Sequence, residues 1–371
     1  MFDSVVTSPA LLAFGMALTV AIGLVCTQRW HGHLSHDSHP GVQKFHQKPT
    51  PRIGGVAIQA GLLASCAFIA PTQQELLIPL ILCGFPAFLF GLQEDITKRV
   101  SVRTRLLATM TCGVLGWALT GHSLTDIDVP LINKLLQFVP LSVLFTAFAV
   151  GGVANAINII DGFNGLAAGT VLIILAGLGT LALSVGDTEL ALTCAILAGA
   201  VAGFGLVNWP FGKIFLGDGG AYFIGFALAW IAVLLKARNP EISAWAPVLA
   251  CGFPILEVLF SIWRRAKRKL NPGHPDRLHL HSLVGRRLVR RLLPRTGQLT
   301  CNSFTGASMW LAAVVPMMFA LQWPHNTALL TGSFAFCGFL YSAVYARLTQ
   351  FRWCLNGATL YASKQSCARV L

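Results

Sequence analysis

Four acidic residues stand in three short, nearly uncharged segments of an otherwise apolar chain. Glu94 and Asp95 lie in GLQEDITK, Asp161 lies in NAINIIDGFNGLA, and Asp218 lies in NWPFGKIFLGDGG. One or two carboxylates, completed by water and substrate phosphates, form the usual protein site for Mg²⁺. Each motif ends an apolar run, so the acids can converge although the sequence separates them widely. The pattern therefore indicates metal-dependent phosphate chemistry at a membrane face.

Helices that cross a bilayer must position these acids. Of the 371 residues, 55% are hydrophobic and only 11% are charged, whereas a soluble domain carries about 25% charged residues. Apolar stretches of the roughly 20 residues that span hydrocarbon recur along the whole length. We therefore predict an all-α, polytopic membrane protein. The eleven predicted spans cover about 9–28, 53–71, 76–92, 106–121, 136–157, 165–185, 188–208, 219–237, 243–263, 302–323 and 327–346.

The basic residues set the orientation, because the cytoplasmic flanks of membrane spans hold the excess of Lys and Arg. With the N-terminus outside, all 27 Lys and Arg residues except Lys134, Lys236 and Arg238 fall in inside segments. The net charge of +13 then favours anionic headgroups and phosphorylated substrates over nucleic acid. We predict one membrane domain over 1–346, with its active site facing the cytoplasm, and a cytoplasmic tail over 347–371. The first span has no basic residue before it, so we expect no cleaved signal peptide.

Glycines accompany two of the acidic motifs. Asp161 belongs to a polar interruption of a membrane-bounded segment, which is tolerated only where it lines a cavity or binds something. Gly162 and Gly165 suit a tight turn whose backbone N–H groups approach a phosphate or a nucleobase. Asp218 lies between two glycines where a span begins, so it is a magnesium ligand, a helix N-cap or both.

The third motif pairs two adjacent acids. On a helix Glu94 and Asp95 would point about 100° apart, so we expect one to face the site while the other orients the loop. Lys98 lies one turn beyond Asp95, in a loop rich in arginine. The alternative is a solvated charged loop, because an acid followed by a base at helical spacing is common.

A basic segment, HPDRLHLHSL, places His279 and His281 two residues apart and just after Arg277. No third zinc ligand is obvious nearby, so phosphate or headgroup contact is favoured over zinc. Glu257 is the one acid inside a predicted span, and pairing with Arg264 or Arg265 competes with a functional role.

Five acids fall on the predicted outer side. The simplest expectation is that they are solvated loop charges. They are Asp126, Asp128, Asp187, Glu189 and Glu241.

Five strings, from about Lys44 to Arg287, follow one another in the order KPTPRIGG, QED, NAINIIDGFNGLA, FLGDGG and DRLHLH. In this order they resemble the polyprenyl-phosphate N-acetylhexosamine-1-phosphate transferase superfamily, glycosyltransferase family 4. That superfamily includes undecaprenyl-phosphate GlcNAc-1-phosphate transferases and phospho-MurNAc-pentapeptide translocases. No single string would suffice, whereas five in order argue against chance. The resemblance implies a multispan enzyme of the bacterial inner membrane with a cytoplasmic active site.

The resemblance also implies roles for individual residues. Asp161 and Asp218 match acids linked to Mg²⁺, with Mn²⁺ as an alternative, and to the diphosphate; with Asp95 they are the expected catalytic residues. Glu94 replaces the first Asp of the family's pair and Asn164 replaces a common Asp, so neither is expected to be an indispensable catalyst. The expected substrate-binding residues are Lys48, Glu94, Lys98, Asn158, Asn164, Asn208, Arg277, His279 and His281.

The implied reaction transfers a sugar 1-phosphate from a UDP-amino sugar to a polyprenyl phosphate and releases UMP, as the first step of a glycan such as lipopolysaccharide O-antigen. Direct transfer is favoured over a covalent intermediate, and a homodimer is one option for the assembly. Two alternatives stay open: a translocase for the peptide-bearing muramyl nucleotide, and a transporter. Transporters, however, place polar groups near the bilayer midplane, whereas these motifs cluster at one face.

Overall fold

Helices dominate the architecture. The structure, a computed structural model, describes residues 2–36, 49–269, 276 and 278–350. Over those ranges the chain forms helices and no β-strand, apart from an isolated bridge between His36 and Pro51. The all-α prediction is therefore confirmed, while Lys48, Arg277 and the tail from residue 351 lie outside the described residues.

The helices follow the predicted spans closely. A π-helical turn, Gly285–Val289, separates α13 from α14. In chain order they are α1 (Phe2–Cys26), α2 (Gln28–Ser35), α3 (Gly54–Cys66), α4 (Pro71–Thr97), α5 (Val102–Thr120), α6 (Pro130–Leu136), α7 (Val139–Ile160), α8 (Leu166–Ser184), α9 (Thr188–Asn208), α10 (Gly217–Arg238), α11 (Trp245–Ala250), α12 (Gly252–Lys267), α13 (Leu280–Val284), α14 (Arg290–Leu292), α15 (Gln298–Gln322) and α16 (Thr327–Thr349).

Eight helices within the described residues are long and apolar enough to cross a membrane, namely α1, α4, α7, α8, α9, α10, α15 and α16. The chain is thus a multi-pass membrane protein. The other three predicted spans fall on α3, on α5 and on the pair α11 and α12, which do not meet the same length and composition. The count of eleven and the orientation of the termini stay predictions.

Helix α10 lies at the centre of the bundle, where it packs against α3, α4 and α7. In its most apolar window 89% of the residues are buried, and its sequence is apolar all round, as expected for a helix enclosed by protein. By contrast, the corresponding windows of α1 and α16 are 22% buried. Polar groups at the ends of α10 are therefore screened from lipid by other helices.

Glycines allow α3 and α4 to approach the start of α10. A Cβ atom on Gly55 of α3 would lie 2.5 Å from the Cα of Gly220, and one on Gly91 of α4 would lie 2.5 Å from the Cα of Gly219. Any side chain at these positions would push the helices apart, because real Cβ atoms do not come so close. Gly55 and Gly91 therefore let α3 and α4 pack closely against the first turn of α10, beside Asp218.

Two of the predicted outer acids are enclosed by the protein, so the expectation of solvated loop charges is wrong for Asp128 and Asp187, whereas Glu241 is exposed. Asp187 accepts hydrogen bonds from Arg238 at 2.8 and 3.0 Å and from the N–H of Leu190 at 3.1 Å, which caps α9. Asp128 accepts a hydrogen bond from the N–H of Ala244 at 2.9 Å. The loops fold back over the helix ends, so these carboxylates satisfy helix N–H groups and cations that water would otherwise bind.

Candidate active site

The first turn of α10 carries Asp218, and α4 supplies the group that caps it. One oxygen of Asp95 accepts the backbone N–H of Asp218 at 3.0 Å, and the other accepts that of Gly219 at 2.9 Å. The first N–H groups of a helix have no partner within the helix. Asp95, which is 1% exposed, satisfies two of them from a neighbouring helix. Asp218 does not cap α10, so its carboxylate is available for other partners.

The turn before Asp218 requires glycine. Gly217 has a φ of +76°, a left-handed conformation that costs other residues free energy. A Cβ atom there would also lie 2.6 Å from Oδ2 of Asp95 and collide with the carbonyl oxygen of Arg52. The Gly-Asp-Gly motif is thus fixed between the capping carboxylate and the segment that precedes α3.

Cationic and amide groups surround the Asp218 carboxylate, whose side chain is 9% exposed. Oδ1 accepts hydrogen bonds from Nδ2 of Asn158 at 3.1 Å and from Nη2 of Arg52 at 3.2 Å. Oδ2 contacts Nη1 of Arg105. Tyr222 donates a hydrogen bond to Oδ1 of Asn158 at 3.4 Å. Asn158 and two guanidinium groups therefore lie beside the Asp218 carboxylate, and a role for Asn158 in substrate binding stays a prediction.

Arg52 and Arg105 were not singled out by the sequence analysis. Arg52 belongs to the PRIGG string that leads into α3, and Arg105 lies in the first turns of α5. The one available signal was that each flanks a helix on the face where the acidic motifs converge. That signal does not distinguish them from the other basic residues of the same loops.

Asp161 follows directly after α7 and meets the same turn. Its carboxyl group accepts a hydrogen bond from the backbone N–H of Gly217. Burial raises the pKa of Asp161 to about 7; the positive charge of Arg52 opposes the shift, and the negative charge of Asp218 adds to it. Asp161 and Asp218, which lie in different motifs of the sequence, are thus within electrostatic reach of each other.

The segment that carries His279 and His281, the histidine segment, packs against the turn after Asp161. His281 is 3% exposed, its ring meets Phe163 at a centroid distance of 5.8 Å, and its Nε2 would lie 3.3 Å from a Cβ atom on Gly162. Burial lowers the pKa of His281 to about 4, although the negative charge of Glu257 opposes the shift. The ring is therefore neutral at physiological pH, and within the described residues its Nδ1 has no hydrogen-bond partner.

Glu257 pairs with a histidine and not with either arginine considered from the sequence. Its Oε1 lies 3.0 Å from Nδ1 of His279 and accepts the N–H of Leu280 at 3.1 Å. Arg264 instead contacts Asp276. Burial alone would raise the pKa of Asp276, but the hydrogen bonds from Arg264 and from a backbone N–H outweigh it and lower the pKa to about 2. Glu257 and Asp276 together fix the start of the histidine segment.

Comparison with known proteins adds to this geometry. The profile of glycosyl transferase family 4 matches residues 77–236. A probable undecaprenyl-phosphate N-acetylglucosaminyl 1-phosphate transferase of Bacillus subtilis is 27% identical over 265 residues, which cover 71% of this chain and 74% of the relative. An undecaprenyl-phosphate alpha-N-acetylglucosaminyl 1-phosphate transferase of Yersinia pestis is 28% identical over 288 residues, with 75% and 74% covered. One of Escherichia coli K12 is 26% identical over 254 residues, with 67% and 68% covered.

This chain is therefore similar to glycosyl transferase family 4 over residues 77–236, and to the three named transferases at 26–28% identity. The segment that matches the glycosyl transferase family 4 profile contains Asp95, Asp161 and Asp218, but it leaves out Arg52 and the histidine segment. These last two reach the acidic cluster only through the packing described above.

Other predicted residues lie behind the site. Asn208 accepts the N–H of Gly165 at 2.7 Å and donates to the carbonyl of Ile214 at 2.8 Å. Asn164, which is fully buried, donates to Oγ of Ser303 at 3.2 Å. Both amides therefore brace the loops that carry Asp161 and Asp218, and their roles in substrate binding stay predictions.

The paired acids divide their tasks as the helical geometry suggested. Asp95 faces the site, whereas Oε2 of Glu94 accepts the N–H of Val100 at 2.7 Å and so orients the loop. Lys98 ends α4 in a left-handed conformation, with a φ of 56°. A role for Lys98 in phosphate binding stays a prediction.

The donor set at the start of α10 fits Mg²⁺ bound through few protein ligands. Within the described residues no group of three or more His, Cys, Asp or Glu side chains is arranged to hold a metal ion. Mg²⁺, however, commonly uses one or two carboxylates and takes its other ligands from water and phosphates. Asp161 and Asp218 provide two. Burial raises the pKa of Asp161 to about 7. A nearby cation would stabilise the ionised form of this carboxyl group.

Proposed function

We propose that this protein transfers an N-acetylhexosamine 1-phosphate from a UDP-amino sugar to a polyprenyl phosphate such as undecaprenyl phosphate, and releases UMP. The observation that carries the proposal is the meeting of Asp161 and Asp218 with Arg52 and Arg105 at the start of a buried helix. The names of the bacterial relatives support the sugar phosphate and the lipid acceptor. We place the site at the cytoplasmic face of a bacterial inner membrane, at the first step of a glycan such as O-antigen.

Phosphoryl transfer depends mainly on positioning and charge neutralisation. In the proposed reaction an oxygen of the lipid phosphate attacks the phosphorus that carries the sugar, and the bond to the UMP oxygen breaks. Arg52 and Arg105 would bind phosphate oxygens, because a guanidinium group matches their geometry and charge. Mg²⁺ held by Asp161 and Asp218 would neutralise the diphosphate charge when bound. Asn158 holds the Asp218 carboxylate in place.

The attacking group needs little help from a base. Phosphate monoesters have a second pKa near 6, so much of the acceptor is already dianionic at neutral pH. Both oxygens of Asp95 accept backbone N–H groups, which leaves this carboxylate poorly placed to take a proton. We therefore assign Asp95 a positioning role, in a direct transfer without a covalent enzyme intermediate.

The test uses purified protein with UDP-GlcNAc labelled at the β-phosphorus, undecaprenyl phosphate and Mg²⁺. Label that becomes extractable into organic solvent, with equimolar UMP, is the expected result. Nucleotide-sugar uptake into vesicles without a new lipid would instead identify a carrier. Incorporation from the peptide-bearing muramyl nucleotide in preference to UDP-GlcNAc would identify a translocase, and a donor panel scored by mass spectrometry would name the sugar.

A further inference from the structure

A cleft between α12 and α16 opens on the same end of the bundle as the histidine segment. Its volume is ≈ 760 Å³. The two helices run side by side: a Cβ atom on Gly338 would lie 3.5 Å from Leu256, and the Arg264 guanidinium lies 5.9 Å from the centre of the Tyr345 ring. One end of the cleft is therefore apolar, and the end near the C-termini of both helices is basic.

The basic end carries two cations that have no ion-pair partner among the described residues. Arg264 is neutralised by Asp276, but Lys267 and Arg268 are exposed and form no ion pair within the described residues. The ammonium group of Lys267 lies 4.2 Å from the centre of the Trp263 ring. Two cations thus stand at the mouth of a cleft that no acidic side chain lines in the part of the chain that the structure describes.

The cleft also contains a buried hydroxyl group that lacks a partner. Tyr345 is 7% exposed, and its hydroxyl oxygen has no hydrogen-bond partner among the described residues. Its ring is held by Phe260 at a centroid distance of 4.5 Å, so the hydroxyl cannot easily turn to water. Buried polar groups in proteins are normally hydrogen-bonded, which points to a ligand as the missing acceptor.

We propose that this cleft binds an anionic glycerophospholipid from the inner leaflet. Its phosphate would lie between Lys267, Arg268 and the Tyr345 hydroxyl, and an acyl chain would follow the apolar wall toward Leu256. Basic pockets between membrane helices on the cytoplasmic side suit acidic headgroups, whereas a zwitterionic headgroup brings no net charge. An apolar wall that continues from a phosphate site requires an amphiphile and not a free anion.

Occupancy of the cleft would also support the histidine segment. Tyr345 contacts Arg264, and Arg264 contacts Asp276. Asp276 precedes His279 closely in the sequence. A lipid phosphate that fixes Tyr345 therefore stabilises the ion pair at the start of this segment. The lipid acts as a structural partner, separate from the acceptor that the proposed reaction consumes.

The test measures lipid binding to the delipidated full chain in detergent by native mass spectrometry, with phosphatidylglycerol and phosphatidylcholine titrated in parallel. We expect phosphatidylglycerol to bind at one saturable site and phosphatidylcholine to bind at least tenfold more weakly. The Lys267→Gln/Arg268→Gln variant should bind phosphatidylglycerol about 25-fold more weakly, since each basic residue near an anionic lipid contributes about a fivefold factor. Tyr345→Phe, which keeps the ring, should weaken binding about fivefold.

The matched control is Arg29→Gln/Lys213→Gln, which removes two exposed charges that do not line the cleft. This control should bind phosphatidylglycerol like the wild type. Equal binding of the two phospholipids, or equal loss in the control and in the cleft variant, would overturn the proposal. So would competition between undecaprenyl phosphate and phosphatidylglycerol for the one site, because the cleft would then belong to the acceptor. Thermal unfolding curves establish that each variant is folded.

Discussion

Helix α10 begins beside Asp218 and ends beside Lys236, and each charge lies in a buried polar cluster. At the far end the ammonium group of Lys236 is fully paired. It donates hydrogen bonds to the carbonyls of Pro240 and Ile242 at 3.1 Å each and lies 3.2 Å from a carboxylate oxygen of Asp126. At the start, Asp161 contacts the turn that carries Asp218, and burial raises the pKa of Asp161 to about 7. In the far cluster Lys236 is fully paired, whereas the near cluster is where we propose that Mg²⁺ and the anionic substrates bind.

The backbone also differs between the two ends of α10. At the start of α10, glycines let three segments approach within contact of one another and leave the Asp218 side chain facing Arg52 and Arg105. At the far end, loops fold back so that Asp128 receives hydrogen bonds from Ala244 and Thr327. The candidate site therefore combines close backbone packing with a carboxylate that faces two arginines. The far end is instead a structural clamp, in which the loops supply hydrogen bonds to the buried carboxylate.

Replacing Asp218 should have the largest effect on activity. Asp218→Asn removes the negative charge that holds both arginines and a proposed metal ligand, so we expect turnover to fall about 10²- to 10³-fold, the scale of losing one preorganised electrostatic group. The measurement is β-phosphorus transfer to lipid per mole of folded protein. Asp128→Asn, at the other end of α10, should keep near wild-type turnover. Similar losses in both variants would remove the distinction between the two ends.

Replacing Gly217 should disturb both stability and turnover. Gly217→Ala places a Cβ atom 2.6 Å from the Asp95 carboxylate at a φ of +76°, so clash adds to backbone strain. Gly186→Ala is the matched control, since Gly186 has a φ of +80° and nothing within 4 Å of an added Cβ. The control should lose only about 1 kcal/mol of unfolding free energy, and Gly217→Ala clearly more. Equal shifts in apparent Tm would show that the contact with Asp95 does not matter.

Replacing Asp95 tests whether this residue positions Asp218 or takes part in proton transfer. Asp95→Asn keeps one acceptor but turns an NH₂ group toward a backbone N–H, a loss of about 1–3 kcal/mol, and we expect turnover to fall roughly 10- to 100-fold. The pH profile of turnover should keep its shape, because in the proposed reaction Asp95 takes no proton from the acceptor. A profile that loses its acidic limb would instead identify Asp95 as a base. Glu94→Gln, which retains an acceptor for Val100, should change turnover less.

At the far end, the expected effect is on stability alone. Asp128→Asn weakens the hydrogen bonds from Ala244 and Thr327 and leaves Lys236 with one carboxylate partner, so the unfolding free energy should fall by about 2 kcal/mol. Apparent Tm in detergent measures this, with turnover of the folded fraction unchanged. Glu241→Gln, at an exposed acid of the same side, is the control and should leave both quantities unaltered. An unshifted Tm in Asp128→Asn would mean that the far cluster is not a clamp.

Most of the helices and the meeting of two acids could be predicted, because bilayers impose long apolar segments and sort basic residues to one side. Asp161 and Asp218 end apolar runs on that side, and the structure brings them together. The pairing of Asp218 with Arg52 and Arg105 could not be predicted, since helix packing decides which of many basic residues arrives. The burial of Asp128 and Asp187 was missed for a related reason: loop acids look solvated until the loops are seen to fold over helix ends.

The histidine segment sharpens the comparison through the pH dependence of stability. The pKa of His281 is lowered by burial to about 4, from about 6.5 in an unfolded chain. The unfolded state therefore binds the proton more readily, so this stabilisation is fully present above about pH 6.5 and is lost as the pH falls toward 4, by up to about 1.4 kcal/mol per pH unit. Glu257, His279, Asp276 and Arg286 act on the same ring.

We therefore expect the apparent Tm of the wild type to fall more steeply than that of His281→Gln as the pH is lowered. The exposed His325, on the opposite side of the membrane by the predicted topology, provides the control, and His325→Gln should follow the wild-type curve. Parallel curves for all three proteins would show that His281 takes up its proton over the same pH range in the folded and the unfolded chain. In that case the histidine segment would bring a positive charge to the turn after Asp161 only below about pH 6.5.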